Sequence, residues 1–127
     1  MAMRNITFHA DVDTHSYIAV YILRELLFDK TNIVVTSNQY RFARSVVSRV
    51  MDILDATGIE FSYYDELYRV NLGVSSSTLG AEPLQEEYLR GRDIDTLVIL
   101  GDEPANMKTL LQICPNIIFV GDSRGQG

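Results

Sequence analysis

The chain has 127 residues, of which 46% are hydrophobic and 22% charged, and a formal net charge of −6. These values are typical of one globular domain and exclude a disordered tail. The excess of acid disfavours a domain that grips nucleic acid through bulk electrostatics, because polyanion binding depends on clustered Lys and Arg. The single cysteine, Cys114, excludes an internal disulfide and a cysteine-based zinc site, which fits a reducing cytoplasm.

No apolar run approaches the roughly eighteen residues of a membrane-spanning helix, and residues 1–10 lack the charged and apolar regions of a signal peptide. We therefore expect a cytoplasmic protein with no membrane partner. The length predicts a single domain over residues 1–127.

The first part of the chain predicts a strand, a helix and a second strand. Asn5–Phe8 is a short apolar run, and Ser16–Phe28 carries its apolar residues at helical spacing. The β-branched run Asn32–Thr36 is typical of a strand covered on both faces, so we expect it at the centre of a parallel sheet.

The longest helical pattern is Gln39–Thr57, with Ser37 or Asn38 predicted as its N-cap and Gly58 as its C-terminal stop. A third strand is predicted at Ile59–Tyr63.

Next, Leu67–Leu72 and Val74–Thr78 predict a pair of strands that turn at residues 71–73. The Ser-, Thr- and Gly-rich segment Ser75–Pro83 predicts an exposed loop, and Leu84–Leu89 a helical turn.

Two further buried-strand runs, Thr96–Leu100 and Ile117–Val120, flank a helical pattern in Pro104–Cys114. This repeated alternation predicts a three-layer α/β fold with a mainly parallel sheet. A small antiparallel excursion is expected near residues 67–78.

An acidic pair follows one of the predicted strands. Gly101, Asp102 and Glu103 come directly after the apolar run LVIL. Open α/β sheets bind ligands at the carboxyl ends of their strands, so one acid can hold Mg²⁺ while the other positions or deprotonates a water. The alternative is an acidic helix N-terminus that stabilises the helix dipole without chemistry.

A second cluster, residues 121–125 (GDSRG), follows the run IIFV. Arg124 in this segment would sense phosphate charge, next to Ser123. The alternative is a plain surface turn.

The turn HADVDTHS, residues 9–16, has two competing interpretations. As a metal site it offers the ligands His9, Asp11, Asp13 and His15, a set that suits Zn²⁺ or Mn²⁺ although its alternate spacing suits a strand better than a turn. As a phosphate site it occupies the place of a P-loop, whose pattern G-x-x-x-x-G-K-S/T would fall on these residues.

Only Ser16 fits the P-loop pattern. Thr14 replaces the second glycine and makes a tight backbone cradle harder to form. His15 replaces the lysine, and its side chain is shorter and largely neutral at pH 7. Asp11 and Asp13 add negative charge to the same turn. Together these changes predict severely weakened nucleotide binding.

Several segments taken in order resemble the N-terminal ATPase domain of the large terminase subunit, the DNA-packaging motor of tailed phages and herpesviruses. They are HADVDTHSYIAVYILREL (Walker A turn and helix), NIVVTSNQYRFARSVVSRVMDIL (second strand and long helix), YRVNLGVSSS (strand, turn and strand), EYLRGRDIDTLVILGDEPANM (Arg-Gly segment and Walker B) and NIIFVGDSRGQG (motif III, or coupling, turn). The resemblance implies a P-loop NTPase-like fold.

The resemblance also implies a role for each matching residue: Glu103 as the catalytic, water-activating glutamate, Asp102 and Ser16 as metal-associated residues, and His15, Ser16, Ser123 and Arg124 as nucleotide-binding residues. Arg90 and Gly91 would belong to the Arg-Gly segment. Relative to the family, the chain lacks the Walker A glycine and lysine, inserts Gly101 before the acidic pair, and is expected to have no nuclease domain.

A Walker B motif without a Walker A motif predicts a pseudoenzyme with weak or no binding of ATP and Mg²⁺. Such a viral protein would act in the host cytoplasm by binding a protein partner, such as a packaging motor, or by self-association.

Two other functions remain open. The opening turn, with the later acids Asp102 and Asp122, resembles the metal-binding set of DHH phosphoesterases. A metal-dependent phosphohydrolase would use His9, Asp11, Asp13, His15 and Asp102. The third possibility is an α/β interaction domain with no ligand. The segment GDSRGQ also resembles superfamily 1 helicases, which share the P-loop fold.

The helix residues Arg41, Arg44 and Arg49 are expected to solvate a surface rather than to contact DNA.

Overall fold

Strand and helix alternate along most of the chain. The computed structural model describes residues 2–8, 14–64 and 68–122. Its elements in chain order are β1 (Ala2–Phe8), α1 (Thr14–Phe28), β2 (Asn32–Ser37), α2 (Tyr40–Thr57), β3 (Phe61–Tyr64), β4 (Arg69–Leu72), β5 (Thr78–Pro83), α3 (Glu86–Leu89), β6 (Thr96–Leu100), α4 (Met107–Ile113) and β7 (Asn116–Asp122).

All of these strands form one seven-stranded sheet with the order β1-β7-β6-β2-β5-β4-β3. The first five strands in this order are parallel, whereas β4 pairs antiparallel with both β5 and β3. The predicted α/β class, mainly parallel sheet and antiparallel excursion are confirmed.

The predicted central strand lies at the centre. β2 is hydrogen-bonded to β5 on one side and to β6 on the other. Ile33 and Val35 face one core while Val34 faces the other, as the two-residue repeat of a strand requires. A β-branched strand with both faces buried holds the two layers of helix together.

The two cores define the three predicted layers. On one face of the sheet α1 and α2 contribute the buried residues Ile18, Ile22, Leu26, Ala43, Val46, Val50 and Leu54. On the other face α3 and α4 contribute Leu89 and Leu110, with Cys114 following α4. Cys114 is fully buried, and burial raises the pKa of its thiol.

The predicted C-terminal stop of α2 is confirmed, but its predicted N-cap is wrong. Gly58 has a left-handed φ of 74°, and Ile59 N–H donates to the Leu54 carbonyl at 3.1 Å. The N-cap position is Gln39, whose side chain makes no capping hydrogen bond. Ser37 Oγ instead accepts from Gln39 N–H at 3.1 Å, because Ser37 still belongs to β2.

The antiparallel pair begins as predicted, but its second strand comes later. Residues 73–77 form a turn, and β5 runs through Thr78–Pro83, where we predicted an exposed loop. Leu79 and Ala81 are buried, because β5 pairs with both β2 and β4. This tertiary pairing overrides the low strand propensity of Gly, Glu and Pro.

The serines of that turn hold the end of α1. Ser75 Oγ donates to the Leu26 carbonyl and Ser77 Oγ donates to the Asp29 carbonyl, each at 2.7 Å. They satisfy acceptors at the C-terminal end of the helix, where the last carbonyls lack intrahelical partners. No helix among the described residues combines the length and apolar character needed to cross a membrane.

The left-handed backbone at Gly58 predicts a specific cost for a side chain there. We expect Gly58→Ala to lower the free energy of unfolding by about 1 kcal/mol in urea denaturation, because an L-residue is strained at this φ. A Cβ at Gly58 would have no atom within 4 Å, so steric overlap adds nothing. Gly73→Ala is the control, since a Cβ there also has open space and its φ is not in the left-handed region. Equal losses in the two variants would contradict the prediction.

Candidate functional site at the carboxyl edge of the sheet

A small cavity lies where the carboxyl ends of β6 and β7 meet the first turns of α1 and α2. Its volume is about 170 Å³, and it is lined by Thr14, His15, Phe42, Leu100, Gly101, Val120 and Gly121. Parallel strands place their carboxyl ends at one edge, so segments far apart in sequence converge there. The structure thus brings His15 together with Gly101 and Gly121, the first residues of the two predicted carboxyl-end clusters.

His15 is held by α2. Its Nδ1 lies 3.0 Å from Ser45 Oγ, and its ring packs against the Phe42 ring at a centroid distance of 5.3 Å. Ser45 and Phe42 are three residues apart and share one face of α2. The His15 side chain, which the sequence pattern aligns with the P-loop lysine, is therefore fixed by a hydrogen bond and an aromatic contact to a neighbouring helix.

Of the remaining residues of the opening turn, those from Thr14 onward belong to α1. Thr14 and Ser16 are half-buried in the first turn of that helix. The proposed ligands His9, Asp11 and Asp13 lie outside the described residues. Within the described ranges, no group of three or more His, Cys, Asp or Glu side chains is placed to hold a metal ion.

Gly101 shapes the opposite wall of the cavity. Its N–H donates to the Val120 carbonyl at 3.2 Å, which extends the contact between β6 and β7 by one residue. Its φ is 98°, and a Cβ at this position would lie 3.2 Å from Asn38 Oδ1. Glycine suits this site because the backbone is left-handed and the loop after β2 lies close by.

The acidic pair is not the start of a helix. Asp102 and Glu103 are exposed in the loop that follows β6, and α4 begins only at Met107 with no acid in its first turn. The alternative interpretation of the pair as dipole-stabilising acids is therefore wrong. The carboxylates lie directly after the cavity-lining Gly101, at the carboxyl edge of the sheet.

Other predicted site residues are placed less directly. Ser123 and Arg124 follow β7 but lie outside the described residues. Arg90 is exposed and forms an ion pair with Glu86 at 3.0 Å within α3 and its C-cap. The Asn106 amide also donates to Glu86, and these hydrogen bonds, that of Asn106 foremost, lower the pKa of Glu86.

The arginines of α2 contact aromatic rings. The Arg44 guanidinium lies 4.4 Å from the Tyr68 ring centroid, and Arg41 lies 5.2 Å from that of Phe42. Both side chains are exposed and Arg49 is half-buried. Cation–π contacts of this kind hold the guanidinium groups against the surface of the protein.

The contribution of α2 to the site was not predicted. Phe42 and Ser45 fall within the predicted helix Gln39–Thr57, and neither is singled out by the sequence. The available signal was their three-residue spacing near the start of α2. Sequence spacing alone does not say that α1 delivers His15 to that face.

Two solved structures share this architecture. The ATPase domain of the large terminase from a Thermus phage matches with a TM-score of 0.72 and 11% identity, over 95% of this chain and 59% of that one. The large terminase from a thermophilic bacteriophage matches with a TM-score of 0.67 and 9% identity, over 93% of this chain and 33% of that one. No protein-family model and no curated protein sequence matches.

At these identities the similarity concerns the fold. The chain has the α/β fold of phage large terminase ATPase domains, which confirms the family resemblance seen in the ordered segments. It spans little more than half of the first of these structures and a third of the second.

The contact between His15 and Ser45 predicts a measurable stabilisation. We expect Ser45→Ala to lower the free energy of unfolding by about 1 kcal/mol, as the loss of one part-buried hydrogen bond does. Ser48→Ala is the matched control, because Ser48 is exposed on the same helix and carries the same gain in helix propensity. Urea denaturation measures both variants. A Ser45→Ala protein as stable as the Ser48→Ala protein would contradict the contact.

Proposed function

We propose that the chain is a terminase-like P-loop domain that has lost efficient ATP hydrolysis and acts by binding another protein or a further copy of itself. The observation that supports this proposal is the contact of His15, which the sequence pattern aligns with the P-loop lysine, with Ser45 and Phe42. A lysine at that position would reach bound phosphates with a full positive charge.

Three physical features support weak nucleotide binding. The imidazole is shorter than a lysine side chain and is not a permanent cation. Thr14 replaces the glycine that allows the backbone to curl around phosphate. The cavity of about 170 Å³ is also smaller than the roughly 300–1,000 Å³ typical of ligand pockets.

The acidic pair defines what chemistry would remain. In the proposed site Asp102, with Ser16, would associate with Mg²⁺, and Glu103 would orient or deprotonate the attacking water. Ser123 and Arg124 would form the coupling turn near the phosphates. Exposed acids without a cationic phosphate cradle would hold the metal and its nucleotide only weakly.

The architecture and the net charge suggest the context of the proposed binding role. Solved structures with this architecture include phage large terminases, so a partner in a viral packaging motor, or in another ring-forming motor, is the proposed context. The proposed location is the cytoplasm of the host cell. The net charge of −6 favours a protein partner over nucleic acid.

ATP titration tests the loss of nucleotide binding. We expect isothermal titration of the wild-type chain with ATP and Mg²⁺ to give a dissociation constant weaker than about 1 mM and no turnover. The triple variant His9→Gly/Thr14→Gly/His15→Lys restores the P-loop pattern, and we expect it to bind ATP at least about tenfold more tightly.

The control is Lys108→Ala, which removes a cation from an exposed position of α4. We expect it to leave the ATP titration unchanged. Micromolar binding of ATP by the wild type, together with turnover that Glu103→Gln abolishes, would reject the pseudoenzyme. A triple variant that binds no better than the wild type would show that the P-loop changes are not the cause of weak binding.

A further inference from the structure

The antiparallel extension of the sheet presents one polar face. Cross-strand pairing places Tyr64, Arg69 and Gly80 in one row and Ser62, Asn71 and Thr78 in the next. Paired residues of neighbouring strands point to the same side of a sheet. Val34 is paired with Gly80, so this is the side covered by α3 and α4 near the centre of the sheet. Among the described residues, the core on this side includes none from β3 or β4.

Two arginines meet on this face. Arg92 lies across the backbone of Gly80, where an added Cβ would be 3.1 Å from its Nη2. Arg69 is the cross-strand neighbour of the same glycine. Burial, and secondly the charge of Arg69, lower the pKa of the Arg92 guanidinium, although Arg remains charged in proteins. The absence of a side chain at Gly80 thus leaves room for the Arg92 side chain on the strand next to Arg69.

Only one carboxylate among the described residues is paired with these two cations. Glu82 forms an ion pair with Arg92, and the two side chains are 18% and 21% exposed. Within the described part of the chain no ion pair of Arg69 occurs, and Asn71 Oδ1 is buried without a hydrogen-bond partner. Arg69 and Arg92 thus face one paired carboxylate, which leaves this patch with excess positive charge on a chain whose net charge is −6.

The composition of the patch favours a protein partner. Tyr64 is 49% exposed beside the arginine pair, and Tyr and Arg are the residues enriched at the centres of protein interfaces. An arginine fork matches a carboxylate through two parallel hydrogen bonds.

We propose that the surface formed by Ser62, Tyr64, Arg69, Asn71 and Arg92, the Arg69 surface, binds an acidic segment of a partner protein, with Arg69 receiving a carboxylate. The proposal rests on the partner-binding part of the proposed function. It does not depend on the carboxyl-edge cavity, so the ATP titration and the experiment below fail independently.

Fluorescence anisotropy with a labelled peptide of alternating Glu and Val tests the Arg69 surface in the full chain. We expect saturable binding at low salt, which weakens at least about tenfold in Arg69→Gln because a charge-assisted hydrogen bond is lost. Arg69→Lys keeps the charge but loses the fork, so its affinity should lie between the two. Arg24→Gln is the matched control, because it removes an equal charge from an exposed position of α1 and should bind like the wild type. Melting temperatures confirm that the variants are folded.

Several results would overturn this assignment. They are the absence of saturable peptide binding, an affinity of Arg69→Gln within about twofold of the wild type, and an equal loss in Arg24→Gln. Tighter binding of labelled oligothymidylate than of the acidic peptide, lost in Arg69→Gln, would also overturn it in favour of a nucleic-acid surface. Equal binding of a peptide in which Gln replaces Glu would show that carboxylates are not what the surface recognises.

Discussion

Parallel pairing of β2 between β5 and β6 is the constraint on which the rest of the structure depends. Both faces of this strand are buried, so helices must cover both sides of the sheet. Because its neighbours run in the same direction, their carboxyl ends share one edge with the starts of α1 and α2. The candidate site lies at that edge for this reason.

Within that site, the residue that the P-loop pattern aligns with the lysine is a histidine. A P-loop requires a flexible turn and a cation that reaches into the phosphate space. Here His15 packs against Phe42 and contacts Ser45, so the side chain contributes to helix packing. The acids Asp102 and Glu103 remain exposed at the same edge. This combination is why we favour a binding role over ATP hydrolysis.

The two halves of the sheet differ in what covers them. The parallel half has helices on both faces, whereas the extension of β3 and β4 packs apolar residues on the α2 side and presents polar residues on the other. Gly80 connects the two halves, because the strand that carries it pairs with both β2 and β4. Its missing side chain leaves room for Arg92, whose Nη2 would lie 3.1 Å from an added Cβ.

The sequence by itself determined the elements whose patterns are local and strong. The apolar runs of β2, β6 and β7, the helical stripe of α2 and the stop at Gly58 were predictable, because burial on a strand or helix repeats with a short period. Five segments in their order also indicated the terminase-like fold. Tertiary structure alone decided that Thr78–Pro83 is a strand, that His15 meets Ser45, and that Arg92 crosses Gly80. Each of these depends on a partner distant in the chain, and local pattern carries no information about which distant surfaces the folded sheet brings into contact.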